Sequence, residues 1–332
     1  MSKFIAAAAT SHTLSVAAME EASRLGQHEV DIDHLLLALV INEQVAGQAL
    51  RSLGLTLEGA REAIAAQHAE QLASLGVTAE PPAPGRIRFH ESGTYDWGPR
   101  ALEIMRRGTE GKKRGDAAAV LRELVTESSG FIEEVLHRLG TTPGAVLARL
   151  DEAERSSVKT PPAAEPEPLS GTSESFVPAP VEQVWALLAD PARMPEWEPG
   201  TGSVEDTPDQ IGVGATWLAH APQQRPDGKP VGVKPAFQTA MVEVTGLEDH
   251  RYLEWRFAWM DAPKANTRRI RIELAPAPGG TQLRLRSAWE LTSAPARRPV
   301  RRVMGWVMRP LYRYALWMQC GQLTGAISRA FR

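Results

Sequence analysis

A duplicated stretch governs what the first half of this chain can fold into. Gly26–Val40 (GQHEVDIDHLLLALV), with the following Ala46–Ile64 (AGQALRSLGLTLEGAREAI), has a counterpart in Gly111–Val125 (GKKRGDAAAVLRELV) with Ile132–Leu150 (IEEVLHRLGTTPGAVLARL). Each copy reads as a leucine-rich helix, a helix closed by Leu-Gly (Leu53-Gly54, Leu139-Gly140) and one more helix. An internal repeat of this kind sets the fold expectation before any single residue is weighed: an all-helical, pseudo-twofold pair.

With 332 residues the chain has room for two domains of ordinary size. Residues 1–155 read as helical throughout. Leu14, Ala17, Ala18, Ala22 and Leu25 share one helical face, and Gly26 suits a left-handed stop after them. Asp31 is placed to cap the next helix, which buries Leu35, Leu36, Leu39 and Val40. Helices at Val45–Leu53 and Leu57–Gln67 complete a first repeat of about residues 1–70. The stretch 76–98, rich in Gly, Pro and aromatics, reads as a loop. The second repeat, about 97–155, opens helically at Pro99, and its last helix opens at Pro143. Ser156–Ser173 carries Pro161, Pro162, Pro166 and Pro168 and reads as an extended linker.

Residues 174–332 change character. Eight of the nine tryptophans lie here. Alternating apolar and polar residues predict strands at Phe237–Val244, Tyr252–Trp259, Thr267–Leu274 and Gln282–Leu291, with a hairpin at Pro276–Gly280 between the last two. A short helix, Val181–Leu188, follows a first strand, and a long helix of about Val300–Phe331, kinked at Pro310, ends the chain. That order predicts an α+β helix-grip, an antiparallel sheet wrapped around one long helix.

Several chemistries find no support in the residues. GxxxxGK[ST], HExxH, paired CxxC and GxSxG do not occur. The eight histidines are scattered, so no metal is expected, and no cofactor is expected either. A net charge of −3 gives the whole chain no general attraction for nucleic acid. The single cysteine, Cys320, excludes an internal disulfide and fits a reducing compartment, where it reads as a small core residue. With neither a secretory leader nor an apolar run of about 20 residues, the expected location is cytoplasmic.

The repeated unit resembles the Clp N-terminal domain, the substrate- and adaptor-docking module of Clp-type unfoldases, here without an ATPase motor. That resemblance implies an aromatic-rimmed groove and, in each repeat, an acidic residue that binds the guanidinium of phosphoarginine. Phe4 falls where the family has an N-terminal Phe, and Trp97 falls near a second groove aromatic. Asp33, in Asp31-Ile32-Asp33-His34, matches the Glu of the family's GTEH motif. In the second repeat the matching position is Ala118, and the neighbouring Asp116 replaces the charge only if the backbone shifts. Bland readings stand beside these: Asp33 as a charge favoured by a helix dipole, and Phe4 and Trp97 as core.

The words SFVPAPVEQVWALLADPARMPEW (175–197) resemble the START-like SRPBCC superfamily of polyketide cyclase/dehydrase and lipid-transport proteins, on Val177-Pro178-Ala179-Pro180, Val184-Trp185, Asp190-Pro191 and Trp197. The resemblance implies an apolar cavity between sheet and helix. Its candidate liners are Trp185, Trp217, Phe237, Trp255, Phe257, Trp289, Tyr312 and Trp317; a packed core is the other reading. Arg256 alternates with Trp255 and Phe257 and is expected on the opposite face. The basic stretch 296–319 reads as an Arg-faced grip helix or as a surface for anionic lipid. Taken together, these features predict a non-ATPase binding protein. Its first domain would capture peptides, adaptors or cyclic-peptide antibiotics recognised by Clp unfoldases, and its second would hold a hydrophobic small molecule. A polyketide cyclase-like enzyme and a lipid-binding regulator are the alternatives, with no acid–base pair in view for the former.

Overall fold

The computed structural model describes residues 3–77, 84–89, 94–109, 116–156, 169–225, 228–290 and 315–332. They fall into two compact units, Met1–Thr160 and Pro161–Arg332.

Among the described residues the first unit has eight helices: α1 (Lys3–Arg24), α2 (Ile32–Val40), α3 (Val45–Ser52), α4 (Leu57–Ser74), α5 (Pro99–Thr109), α6 (Ala117–Val125), α7 (Phe131–Arg138) and α8 (Pro143–Ser156). The expected stops sit where glycine permits them. Gly26, Gly54 and Gly140 have φ of +69°, +87° and +74°, a region that costs other residues Cβ strain. After the last two, the N–H groups of Leu55 and Thr141 reach back to the carbonyls of Leu50 and Leu136 and close both helices alike. The starts match as well. Thr56 Oγ1 accepts from Gly59 N–H at 3.1 Å, and Thr142 Oγ1 from Ala145 N–H at 3.2 Å. Across the unit α3 packs on α8 and α4 on α7, while α2 meets α6. The stretch 76–98 is not loop throughout: β1 (Glu29–Val30) and β2 (Asp96–Trp97) pair in parallel, Val30 opposite Trp97. A two-residue ladder has no periodicity for a sequence to display.

Among the described residues the second unit carries a seven-stranded antiparallel sheet in the order β3-β9-β8-β7-β6-β5-β4. The strands are β3 (Ser170–Val177), β4 (Ser203–Glu205), β5 (Thr216–His220), β6 (Thr239–Glu248), β7 (Tyr252–Trp259), β8 (Thr267–Ala277) and β9 (Gly280–Glu290). Helices α9 (Val181–Leu188) and α10 (Met194–Trp197) follow β3, and residues 315–329 form a terminal helix, α11. β3 starts inside the stretch read as linker, because Ser170–Ser173 takes its order from the ladder with β9 rather than from apolar residues of its own. Phe237 does not open β6; it lies in a 3-10 turn, Pro235–Phe237, ahead of Thr239. The hairpin between β8 and β9 turns on Pro278-Gly279, with Gly279 at φ +76°. The start of the expected terminal helix, with Pro310, lies outside the described residues.

α11 lies against β3. Ser328 Oγ donates to the Phe176 carbonyl at 3.2 Å, Ser173 and Thr324 hydroxyls are 3.4 Å apart, and a Cβ on Gly171 would stand 3.0 Å from Leu316 Cβ. A sheet gripping a terminal helix in this way fits the helix-grip architecture. Among the described residues no helix is long and apolar enough to cross a membrane.

Candidate functional site

The helical unit places its sequence-predicted residues as follows. Asp33 is 7% exposed and turned inward. Its Oδ1 accepts from His34 N–H at 2.8 Å and lies 2.8 Å from His34 Nδ1, while its Oδ2 lies 2.9 Å from His68 Nε2. Burial pushes this carboxyl toward the neutral form, but the hydrogen bonds from His34 and His68 outweigh it and hold the group well below the usual carboxylate range. Asp116 caps α6, its Oδ1 accepting from Ala119 N–H at 3.0 Å, and so occupies the place of Asp31 before α2 rather than that of Asp33. Trp97 is half-buried in β2. Phe4 belongs to α1, with its side chain outside the described residues. These four residues are therefore not gathered into one site by any contact described.

The second unit concentrates its chemistry on the face of the sheet that grips the helix. Side chains alternate along each strand, and the register aligns inward positions crosswise. Trp217 on β5 opposes Val242 on β6, Val242 opposes Phe257 on β7, Phe257 opposes Arg268 on β8, and Arg268 opposes Trp289 on β9. The next row runs through Val244, Trp255, Ile270 and Ser287. A single arginine thus sits in an otherwise apolar row. Its Nη1 donates to Glu198 Oε1 at 3.0 Å, with side-chain exposures of only 12% and 4%, and its guanidinium lies 5.7 Å from the Phe257 ring centre. Glu198 Oε2 accepts from the Thr201 hydroxyl at 3.0 Å. Trp197, one residue before Glu198, packs its ring 5.2 Å from that of Trp255. Four buried polar atoms here have no hydrogen-bond partner among the described residues: Arg268 Nε, Trp197 Nε1, Trp217 Nε1 and Ser287 Oγ. Cys320 on α11 is fully buried, and burial pushes its thiol up to about 11, so it is an inert core group.

Of the expected liners, Trp217, Trp255, Phe257 and Trp289 share this face. Trp185 lies on α9 with its ring 5.4 Å from that of His250, and Trp317 is half-buried on α11. Phe237 is 36% exposed and packs edge-on against Trp259 at 5.5 Å, so it stands at the surface. Tyr312 lies outside the described residues. Arg256 faces away from Trp255 and Phe257, as expected, and donates to Glu243 at 2.6 Å. Sequence reasoning missed Trp197, Glu198, Arg268 and Ser287 as site residues. The signal was present for Arg268, which keeps step with Ile270 and Ile272, but its charge argued for water.

A separate cleft of about 750 Å³ borders β4 and β5 and is lined largely by polar groups, among them Glu205, His220, Gln224 and Thr239. His220 alternates with the inward Ala219 and Trp217, so it serves the opposite side of the sheet. Its Nδ1 lies 3.2 Å from the Thr239 hydroxyl. Among the described residues no cluster of three or more His, Cys, Asp or Glu is arranged to hold a metal.

Comparison with known proteins bears on the second unit. Similar solved structures include protein CV1439 from Chromobacterium violaceum (19% identity, covering 45% of this chain and 97% of that one, TM-score 0.29). Another is the Polyketide_cyc-like protein Cgl2372 from Corynebacterium glutamicum (22% identity, 50% and 93%, TM-score 0.32). A third is DynU16, a protein of the dynemicin biosynthetic locus (16% identity, 49% of this chain and 47% of that one, TM-score 0.32). No curated protein matches the chain. Residues 169–317 match the family described as "Polyketide cyclase / dehydrase and lipid transport", and this C-terminal region is an SRPBCC-like domain.

Proposed function

We propose that this chain is a binding protein whose SRPBCC-like region holds a hydrophobic small molecule on the gripping face of its sheet, without turning it over. The observation that carries the reading is the set of polar atoms left without a partner among the described residues in an aromatic-rich core. Trp197 and Trp217 are 1% and 2% exposed, Ser287 is fully buried, and none of their polar side-chain atoms has a partner among the described residues. In a sealed core each such group costs about 1–3 kcal/mol, and native proteins rarely leave several together. A bound molecule that accepts hydrogen bonds removes that cost, and Trp217, Phe257 and Trp289 offer it flat apolar contact. Mass spectrometry of the intact protein, purified natively from its host, tests the reading. A retained small molecule, released unchanged on denaturation, is expected. A protein that is always empty, and that no apolar probe stabilises, refutes it. Conversion of a poly-β-ketone mimic would instead favour the cyclase-like alternative.

A second reading concerns the helical unit. The reciprocal packing of α3 on α8 and of α4 on α7, with like caps and like Gly stops, supports an internal twofold of the kind a Clp-type docking domain would have. On that reading the unit docks peptides, adaptors or cyclic peptides. Asp33 is already engaged by His34 and His68, and Asp116 by its cap, so phosphoarginine is not the favoured ligand. Calorimetry of the full chain with a cyclic-peptide Clp ligand tests this, and an absence of heat on folded protein ends it.

A further inference from the structure

The cleft beside β4 and β5 is a cavity with room in it. At about 750 Å³ it falls within the range of about 300–1,000 Å³ that small-molecule sites occupy. Its floor is a crosswise row on the outer face of the sheet, Ser203 opposite His220 and His220 opposite Thr239. Its wall is the arm that joins β5 to β6, and backbone bonds hold that arm in place. Ala221 N–H donates to the Gln238 carbonyl at 2.8 Å, and Val231 N–H to that of Gln223 at 2.9 Å. Gly202 N–H ties the start of β4 to the His220 carbonyl at 2.7 Å. The His220 ring is held from both sides. Its Nδ1 lies 3.2 Å from the Thr239 hydroxyl, and its Nε2 lies 3.4 Å from Glu205 Oε2, close but not aligned as a hydrogen bond. The side chain of His220 is 29% exposed and that of Glu205 67%, so the carboxylate is the member of the pair that a visitor to the cleft meets.

The lining narrows the chemistry of that visitor. Among the described residues that line the cleft there is one carboxylate and neither lysine nor arginine, and His220 already faces Thr239 and Glu205. A phosphate or carboxylate ligand therefore gains no free partner of opposite charge. No Phe, Tyr or Trp is among those lining residues, so a nucleobase finds no ring to stack on. What the lining offers is groups that donate and accept at once: the exposed carboxamides of Gln223, Gln224 and Gln238, and the hydroxyls of Ser203 and Thr239. Sugar hydroxyls have the same dual character. Glu205 adds a carboxylate that two neighbouring hydroxyls can share as donors, and the half-buried Val231 and Val233 offer apolar contact to the C–H face of a sugar ring. We infer that this cleft is a second binding site, independent of the gripping face, for a neutral polyhydroxylated molecule of the sugar class, with Glu205 and the three glutamines as its polar contacts.

The test titrates four probes into the full chain labelled with ¹⁵N: maltose, cellobiose, inorganic phosphate and adenine. The side-chain amide signals of Gln223, Gln224 and Gln238 are assigned with Q223A, Q224A and Q238A. The expected result is that maltose or cellobiose moves at least two of the three amide pairs saturably, with a Kd of about 1 mM or tighter. Phosphate and adenine should bind at least about tenfold more weakly than the better disaccharide. E205Q, which exchanges charge-assisted hydrogen bonds for neutral ones, should weaken that disaccharide about tenfold, and Q224A about fivefold. Both side chains are exposed, so the backbone signals of β7–β9 should stay in place and report an intact fold. No shift with either disaccharide up to about 50 mM, where even a Kd of about 10 mM would show, overturns the site. Binding of phosphate or adenine as tight as that of the disaccharides overturns the selection for neutral polyols. Disaccharide binding at full strength in both E205Q and Q224A places the sugar elsewhere and overturns the assignment of this cleft.

Discussion

Asp33 shows how one side chain's role depends on neighbours far along the chain. A buried carboxylate is costly unless hydrogen bonds hold its charge, and here His68, 35 residues on, supplies one of them. The folded carboxyl is depressed, so the sign is fixed: its contribution is complete above the ordinary aspartate range of about 4 and is lost as pH falls below it. Protection factors of the α2 amides, taken relative to intrinsic exchange at each pH, are therefore expected to drop on acidification from about pH 5, and Asp33→Asn should flatten that drop at a cost in stability near neutrality. A dipole charge or a ligand anchor was all that the local Asp31-Ile32-Asp33-His34 string offered. Nothing in it pointed to His68. Glu198 and Arg268 repeat the lesson, being 70 residues apart and only 4% and 12% exposed. Glu198→Gln leaves a buried arginine unbalanced and should cost about 3–5 kcal/mol in urea unfolding of the second unit. The double replacement E198Q/R268M should recover much of that loss.

Elements were legible where the pattern was long and local. β7 has the bounds its alternation predicts, and the Pro278-Gly279 turn lies inside the expected hairpin. Helix ends at Gly26, Gly54 and Gly140 fell where glycine marked them. β4, three residues long, and β5, five, offer too few residues to establish a period, and β3 is made by its partner β9. Two glycines separate packing from propensity. A Cβ on Gly280 would stand 2.1 Å from the Val177 carbonyl oxygen, where β9 starts against the end of β3. Gly280→Ala should therefore cost about 2 kcal/mol or more. A Cβ on Gly321, exposed on α11, meets nothing within 4 Å, and Gly321→Ala should add about 0.5–1 kcal/mol through helix propensity. Urea midpoints of the two variants, moving in opposite directions, check both.

At the scale of the molecule, the change from leucine-rich helical repeats to tryptophan-rich alternation marked the passage from one unit to the other. The row that carries Arg268 inside the sheet was hidden because it is assembled from five strands. If the second unit is the binding body, an apolar ligand at about 100 times its Kd should add about 2.7 kcal/mol to amide protection in β6–β9 and leave α1–α8 unchanged in hydrogen exchange. The ladder between β3 and β9 has a temporal side as well. Glu174 and Arg284 face each other across it from 110 positions apart, and Ser328 reaches the Phe176 carbonyl from 152. During synthesis, β3 leaves the ribosome long before either its neighbour strand or its covering helix exists. Loop closure over such distances makes maturation of this half slow, and a nascent chain stalled ahead of residue 315 would leave Phe176 and Val177 bare to chaperones or to other unfinished chains.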